Sequence, residues 1–113
     1  MSFFRESELK IRQLLKGVNL RSVAGDKTML TIFDFEPNAV IPSHHHLHEQ
    51  ITYIIKGKME FTIDGKTKIL QEGDGVVVSS NKEHGAKVLS KFTKVIDAWY
   101  PIREDYRQKS VPC

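Results

Sequence analysis

Apolar and polar residues alternate in short runs along this chain, and each run closes on turn residues. The run at 28–35 (TMLTIFDF) stops at Glu36-Pro37-Asn38. The run at 51–55 (ITYII) stops at Lys56-Gly57, and that at 58–63 (KMEFTI) stops at Asp64-Gly65, a dipeptide suited to a two-residue hairpin turn. Further runs at 66–70, 76–79, 86–89 and 92–100 follow at similar spacing, with Glu72-Gly73-Asp74-Gly75 between the first two. A period of two sends successive side chains to opposite faces, so these runs predict half-buried strands. Residues 6–20 fit two descriptions: a short helix capped by Ser7 and stopped by Gly17, or strands carrying Leu9, Ile11, Val18 and Leu20. Seven or more short strands without a long helix predict an all-β sandwich or barrel, and the interior of a small barrel can hold one ligand.

Length and composition narrow the classes. A chain of 113 residues predicts one domain, 1–113, able to bury a single core. The net charge is +3, and its lysines and arginines are scattered rather than interleaved with aromatics, so no nucleic-acid partner is expected. The single cysteine, Cys113, is the last residue, which excludes an internal disulfide and fits a reducing compartment. The first twenty residues lack the features of a signal peptide, and no stretch approaches ~18 consecutive apolar residues. A cytoplasmic protein with no membrane partner is expected.

Four of the five histidines lie within 44–48. His44 and His46 have the spacing that places two imidazoles on one face of a strand, and His84, far along the chain, supplies a third nitrogen. Three such nitrogens suit a divalent transition metal, although a histidine-rich surface tract that binds metal loosely is the alternative. The run is internal, unlike an expression tag. His45 has the opposite parity and is expected at the surface. Phe33, Phe35, Tyr53, Phe61 and Phe92 are read as core or interface residues, and Met29 and Met59 as packing residues. No nucleophile elbow, phosphate loop or Cys–His pair is present.

With these residues in view, the chain resembles the cupins, a family of small jelly-roll β-barrels that carry a metal inside. The first cupin motif is Gly, five residues, His-x-His, three or four residues, Glu, six residues, Gly. Here it reads Asn38, His44-x-His46, Gln50, Gly57, with every spacing kept. The second is Gly, five residues, Pro-x-Gly, two residues, His, three residues, Asn, and here reads Gly73, Ser79-x-Asn81, His84, Val88. The likeness covers residues 30–100, with the barrel core at about 18–100. It implies an all-β, single-domain cupin jelly-roll barrel. It also implies one divalent metal ion held by His44, His46, Gln50 and His84, with nickel, zinc, iron, manganese and cobalt not distinguished. Gln50 stands where the family has a carboxylate, and a neutral donor leaves more metal charge to attract an anionic ligand. Glu49 could swing in instead, but its parity is wrong.

The ending Asp97-Ala98-Trp99-Tyr100-Pro101-Ile102-Arg103-Glu104-Asp105-Tyr106 resembles the Asp-x-Phe-x-Pro-x-Arg-x-Asp-Tyr of a group of small cupins that also carry His-x-His-x-His-Glu-Gln. That group includes metal-dependent proteins of pectin and alginate breakdown that open a 4,5-unsaturated uronate into its linear keto form. The likeness implies that Asp97, Trp99 and Arg103 line a pocket for a small acidic substrate, with Trp99 in place of Phe. Asp97 is then either a proton carrier or the ion-pair partner of Arg103. Arg103 is either a fork for a substrate carboxylate or part of a charged tail. His48 falls at a turn and is expected beside the pocket. The competing functions are a cupin dioxygenase and a non-catalytic module that senses a sugar or a metal. Cupins usually pair two barrels, and Ile51, Tyr53 and Ile55 would give an apolar outer face, so a homodimer is expected.

Overall fold

The structure, a computed structural model, describes residues 2–107; Cys113 lies outside the described residues. Ten strands run in chain order: β1 Arg12–Leu15, β2 Val18–Ala24, β3 Met29–Phe35, β4 Val40–His44, β5 Glu49–Lys56, β6 Lys58–Ile63, β7 Lys66–Gln71, β8 Gly75–Val78, β9 His84–Val88 and β10 Thr93–Tyr100. Short 3-10 turns occupy Glu6–Glu8 and Glu104–Tyr106. The all-β expectation holds, and among the described residues no helix is long and apolar enough to cross a membrane.

All pairings are antiparallel and form two sheets. One has the order β1-β2-β3-β10-β5-β8, the other β4-β9-β6-β7. The expected jelly-roll barrel is therefore a sandwich of two separately hydrogen-bonded sheets rather than one continuous barrel wall. The ambiguous segment at 6–20 holds no α-helix: after the 3-10 turn and irregular residues 9–11 it forms β1 and the start of β2, joined by a turn at Gly17, so Val18 and Leu20 lie on a strand while Leu9 and Ile11 do not. Asp64 and Gly65, both at positive φ, make the β6–β7 turn that the sequence signalled.

Alternation decides what each sheet buries. β5 reads exposed, buried, exposed, buried through Glu49–Ile54, which turns Gln50, Thr52 and Ile54 inward and Glu49, Ile51 and Tyr53 outward. β10 likewise sends Val95, Asp97 and Trp99 inward. Facing them across the interior are Met59 and Phe61 of β6, Leu70 of β7 and Val88 of β9. Phe33, Phe35, Met29 and Met59 are buried, whereas Tyr53 and Phe92 remain exposed. Close approach of β4 and β9 depends on Gly85, because a Cβ there would lie about 3 Å from the backbone of Ile41 and Ser43.

Gln50, Thr52, His84 and Asp97 are buried polar residues of the interior. The C-terminal segment after β10 packs beside them through Arg103 and Tyr106. Its backbone is tied down by Ser22, whose hydroxyl donates to the Tyr106 carbonyl, and by Arg12, whose Nη2 donates to the Asp105 carbonyl at 2.6 Å.

Candidate functional site

Both sheets contribute to a cavity of about 330 Å³ lined by His44, Gln50, Thr52, His84, Asp97, Trp99, Arg103 and Tyr106 among others. These polar residues share its wall with apolar ones such as Phe33, Met59 and Phe61. β4 and β9 pair so that His44 and His84 stand directly opposite each other, and their ring centroids are 4.3 Å apart. His46 lies beyond the end of β4, in the loop that leads to β5. Strand alternation therefore does not place it. The loop does, and brings its ring within 4.7 Å of His84 and 5.4 Å of His44. One ligating atom from each of the three imidazoles can be chosen such that all lie within 4.8 Å of one another.

The backbone fixes which nitrogen faces the cavity. Nδ1 of His44 lies 2.8 Å from the Pro42 carbonyl, that of His46 2.9 Å from the His48 carbonyl, and that of His84 2.8 Å from the Lys82 carbonyl. A carbonyl oxygen can only accept, so each Nδ1 must carry the proton and each neutral ring keeps its lone pair on Nε2. Nε2 of His46 and Nε2 of His84 are buried without a protein partner. Burial also lowers the pKa of both rings, that of His46 to about 4, which keeps them neutral and able to ligate at neutral pH.

Gln50 and Thr52 point inward from β5, and Thr52 is the cross-strand partner of Asp97 on β10. Gln50 Nε2 donates to Thr52 Oγ1 at 2.8 Å, while Gln50 Oε1 is buried without a partner. Gln50 Oε1 and His84 Nε2 on the cavity wall, and His46 Nε2 on the ring packed against His84, are buried acceptors left unsatisfied, the pattern that a bound cation would complete, because buried polar atoms otherwise find partners. The donor set of three imidazoles and one amide oxygen suits a divalent transition metal. Glu49 is exposed on the outer face, and His45 is exposed as well.

Asp97 is buried, with Oδ1 unpartnered. Desolvation raises its pKa to about 7, against hydrogen bonds from Thr52 and Gln50 and the charge of Arg103. Arg103 does not form the ion pair with Asp97 that its position allowed. Its Nε and Nη2 grip the Asp105 carboxylate at 3.2 and 2.7 Å, because the segment after β10 curls back and brings Asp105 alongside. Nor is Arg103 part of a free charged tail, since its side chain is only 13% exposed. Its guanidinium lies 4.0 Å from the Tyr106 ring centroid and 5.0 Å from that of Trp99, and Nη1 is buried and unpartnered. Trp99 is anchored by its indole N–H to Thr31 Oγ1 at 2.8 Å and lies 5.4 Å from the His46 ring. His48 sits at the rim, half-buried, 6.5 Å from Trp99 and with its Nδ1 unpartnered. The structure thus brings His44, Gln50, His84, Asp97, Trp99 and Arg103 to the wall of one cavity, with the His46 ring against His44, His84 and Trp99, and His48 against His46 and Trp99. Thr52, Asp105 and Tyr106 were given no role from the sequence. Thr52 could have been found from its parity with Gln50 on one strand.

Two packed antiparallel sheets around a cluster of three histidines define a cupin. The family model for the cupin domain matches residues 31–96, more than half of the chain, and the chain belongs to that family. It is 29% identical over 106 residues to the pectin degradation protein KdgF of Dickeya dadantii, covering 92% of this chain and 96% of that protein. Among solved structures it is similar to KdgF from a Halomonas species, with a TM-score of 0.89 and 31% identity over 95% of this chain and 99% of that one. An RmlC-like cupin from Shewanella frigidimarina gives a TM-score of 0.90 at 26% identity, over 95% of this chain and 96% of that one.

Two predictions follow the geometry. His46→Ala should abolish stoichiometric metal binding while His45→Ala leaves it intact, as read by elemental analysis after metal loading and desalting; the reverse result would refute the assignment. The second concerns the metal-free protein. Asp97 binds its proton more tightly folded than unfolded, so its stabilising effect is complete below about 3.8 and is lost as pH rises through about 7. His46 acts oppositely, costing stability as pH falls from 6.5 to about 4. Asp97→Asn removes only the first effect, so the metal-free variant should gain stability relative to the parent as pH rises from 4 to 7. Thermal melts across that range measure this, and a constant difference between the two proteins would contradict it.

Proposed function

We propose that this protein is a metal-dependent enzyme that opens the ring of a small sugar acid, a 4,5-unsaturated uronate, into its linear keto form. The observation that carries the reading is the convergence of unsatisfied donors in one cavity. His84, Gln50, Asp97 and Arg103 line one cavity and each carries a buried unpartnered polar atom, and the His46 ring, with Nε2 likewise unpartnered, clusters with His84 and His44. The relatives' role in pectin degradation supports it, since pectin is a polymer of uronates.

On this reading His44, His46, His84 and Gln50 hold one divalent ion. Bound there, the ion supplies Lewis-acid polarisation of a substrate oxygen. Gln50 contributes no charge, which leaves the cavity attractive to an anion. Arg103 offers Nη1 to the substrate carboxylate, its plane steadied by Tyr106 and Trp99. Trp99 lines the space where the sugar ring would lie, with the His48 ring 6.5 Å from it. The net change is an isomerisation. A proton leaves the anomeric hydroxyl and the C1–O5 bond breaks, giving an aldehyde at C1. The electron pair left on O5 becomes the C5 carbonyl as the C4=C5 bond opens, and C4 takes up a proton. Asp97, buried in the cavity that His44 and His84 also line, would carry that proton.

Ile51, Tyr53, Val77 and Tyr100 are each about half exposed on the adjoining strands β5, β8 and β10. A second copy of the chain is proposed to cover this apolar face, forming a homodimer. Light scattering should give twice the 13.0 kDa chain mass, and a monomer at micromolar concentration would contradict it.

For the reaction, Asp97→Asn should retain uronate binding and lose turnover by roughly 10²-fold or more, because the amide keeps the shape but exchanges no proton. Arg103→Ala should raise KM more than it lowers kcat. Both are read from the loss of the ultraviolet absorbance of the C4=C5 bond conjugated to the carboxylate. Full turnover in Asp97→Asn would remove its role. A parent protein that binds uronates tightly without converting them would instead be a sensing module.

A further inference from the structure

An amide ligand differs from the carboxylate that cupins use in one respect. Its two ends are not alike: the oxygen can face a cation, whereas the NH₂ group would repel it. A carboxylate needs no such choice. Gln50 at this position therefore needs something to set its orientation, and the structure provides it on the same strand.

Gln50 and Thr52 are two residues apart on the inner face of β5, and Thr52 lies directly across from Asp97 on β10. Thr52 is 3% exposed, and its Oγ1 receives the Gln50 Nε2 hydrogen at 2.8 Å. A hydroxyl could equally donate to the amide oxygen if the amide were flipped, so this contact alone does not choose. Thr52 lies directly across from the buried carboxyl of Asp97, and a hydroxyl proton turned to that acceptor leaves Oγ1 only to accept from the amide. The amide then keeps NH₂ toward Thr52 and leaves Oε1, buried and unpartnered, on the cavity side.

We propose that Thr52 is a positioning residue that sets the amide of Gln50 with its carbonyl oxygen toward His44, His46 and His84, so that a neutral side chain can serve as the fourth ligand of the metal. The proposal rests on the metal-binding reading above. It also assigns Thr52 a part in the site beyond filling space in a strand. Ligands whose orientation is fixed by a hydrogen-bonded neighbour typically lose about 10- to 100-fold in metal affinity when that neighbour is removed.

The test is Zn(II) affinity, measured by competition with a chelating dye, in a double-mutant cycle. Thr52→Val keeps the shape of the side chain without the hydroxyl and should weaken Zn(II) binding about tenfold, the lower end of that range. Thr52→Ser retains the hydroxyl and should bind like the parent. In a Gln50→Ala background, where no amide remains to be oriented, Thr52→Val should cost nothing further. Equal losses in both backgrounds would show that Thr52 acts through packing and would overturn the proposal, as would unchanged affinity in Thr52→Val. If the parent itself bound no Zn(II), the metal reading would fall and the proposal with it. If the parent binds and the cycle is additive, only the proposal falls. The absorption spectrum of the Co(II) form gives a second readout: it should change in Thr52→Val and return in Thr52→Ser.

Discussion

Each of the three clustered imidazoles donates its one proton to a backbone carbonyl two residues away, and the site depends on that constraint. The carbonyls of Pro42, His48 and Lys82 cannot donate, so the tautomer is set by the chain itself and the Nε2 lone pairs are left for the cavity. Burial then acts on the same rings by holding His46 and His84 neutral. Three rings that share one tautomer and one cluster form a ligand set before any ligand arrives. Preorganisation of this kind lowers the cost of binding, because little has to move.

The two sheets divide the work. β4 and β9 bring His44 and His84 together by cross-strand pairing, and β5 and β10 do the same for Thr52 and Asp97. The sandwich therefore places imidazoles on one wall and the amide and carboxylate on the other. The segment after β10 closes one side with Arg103, held by Asp105 and stacked against Tyr106. Backbone ties from Arg12 and Ser22 hold that segment in place, so the strands least connected to the imidazoles still shape the pocket.

The fold was legible because its signals were local. Asp64-Gly65 marked a hairpin that the structure contains, and period-two alternation in β5 and β10 told which side chains face inward. Motif spacing led to the cupin family. Less was legible wherever irregular backbone sets position. β4 was not among the runs read as strands, its apolar content being only Val40 and Ile41, and His46 was assigned to strand alternation although it lies in the following loop. The choice between Asp97 and a surface tail as the environment of Arg103 could not be settled from spacing. The partner proved to be Asp105, two residues away, because the chain turns back after β10. Side-chain hydrogen bonds such as Gln50 to Thr52 are set by packing between strands distant in sequence, and no pattern of residue types announces them.

The central claim is that three imidazole nitrogens and one amide oxygen surround a divalent ion in this cavity. X-ray absorption at the zinc edge of the Zn(II)-loaded protein tests it most directly. The account predicts imidazole scattering from three rings at about 2.0–2.1 Å together with oxygen in the first shell. A shell of oxygens alone, or with fewer than three imidazoles, would contradict it.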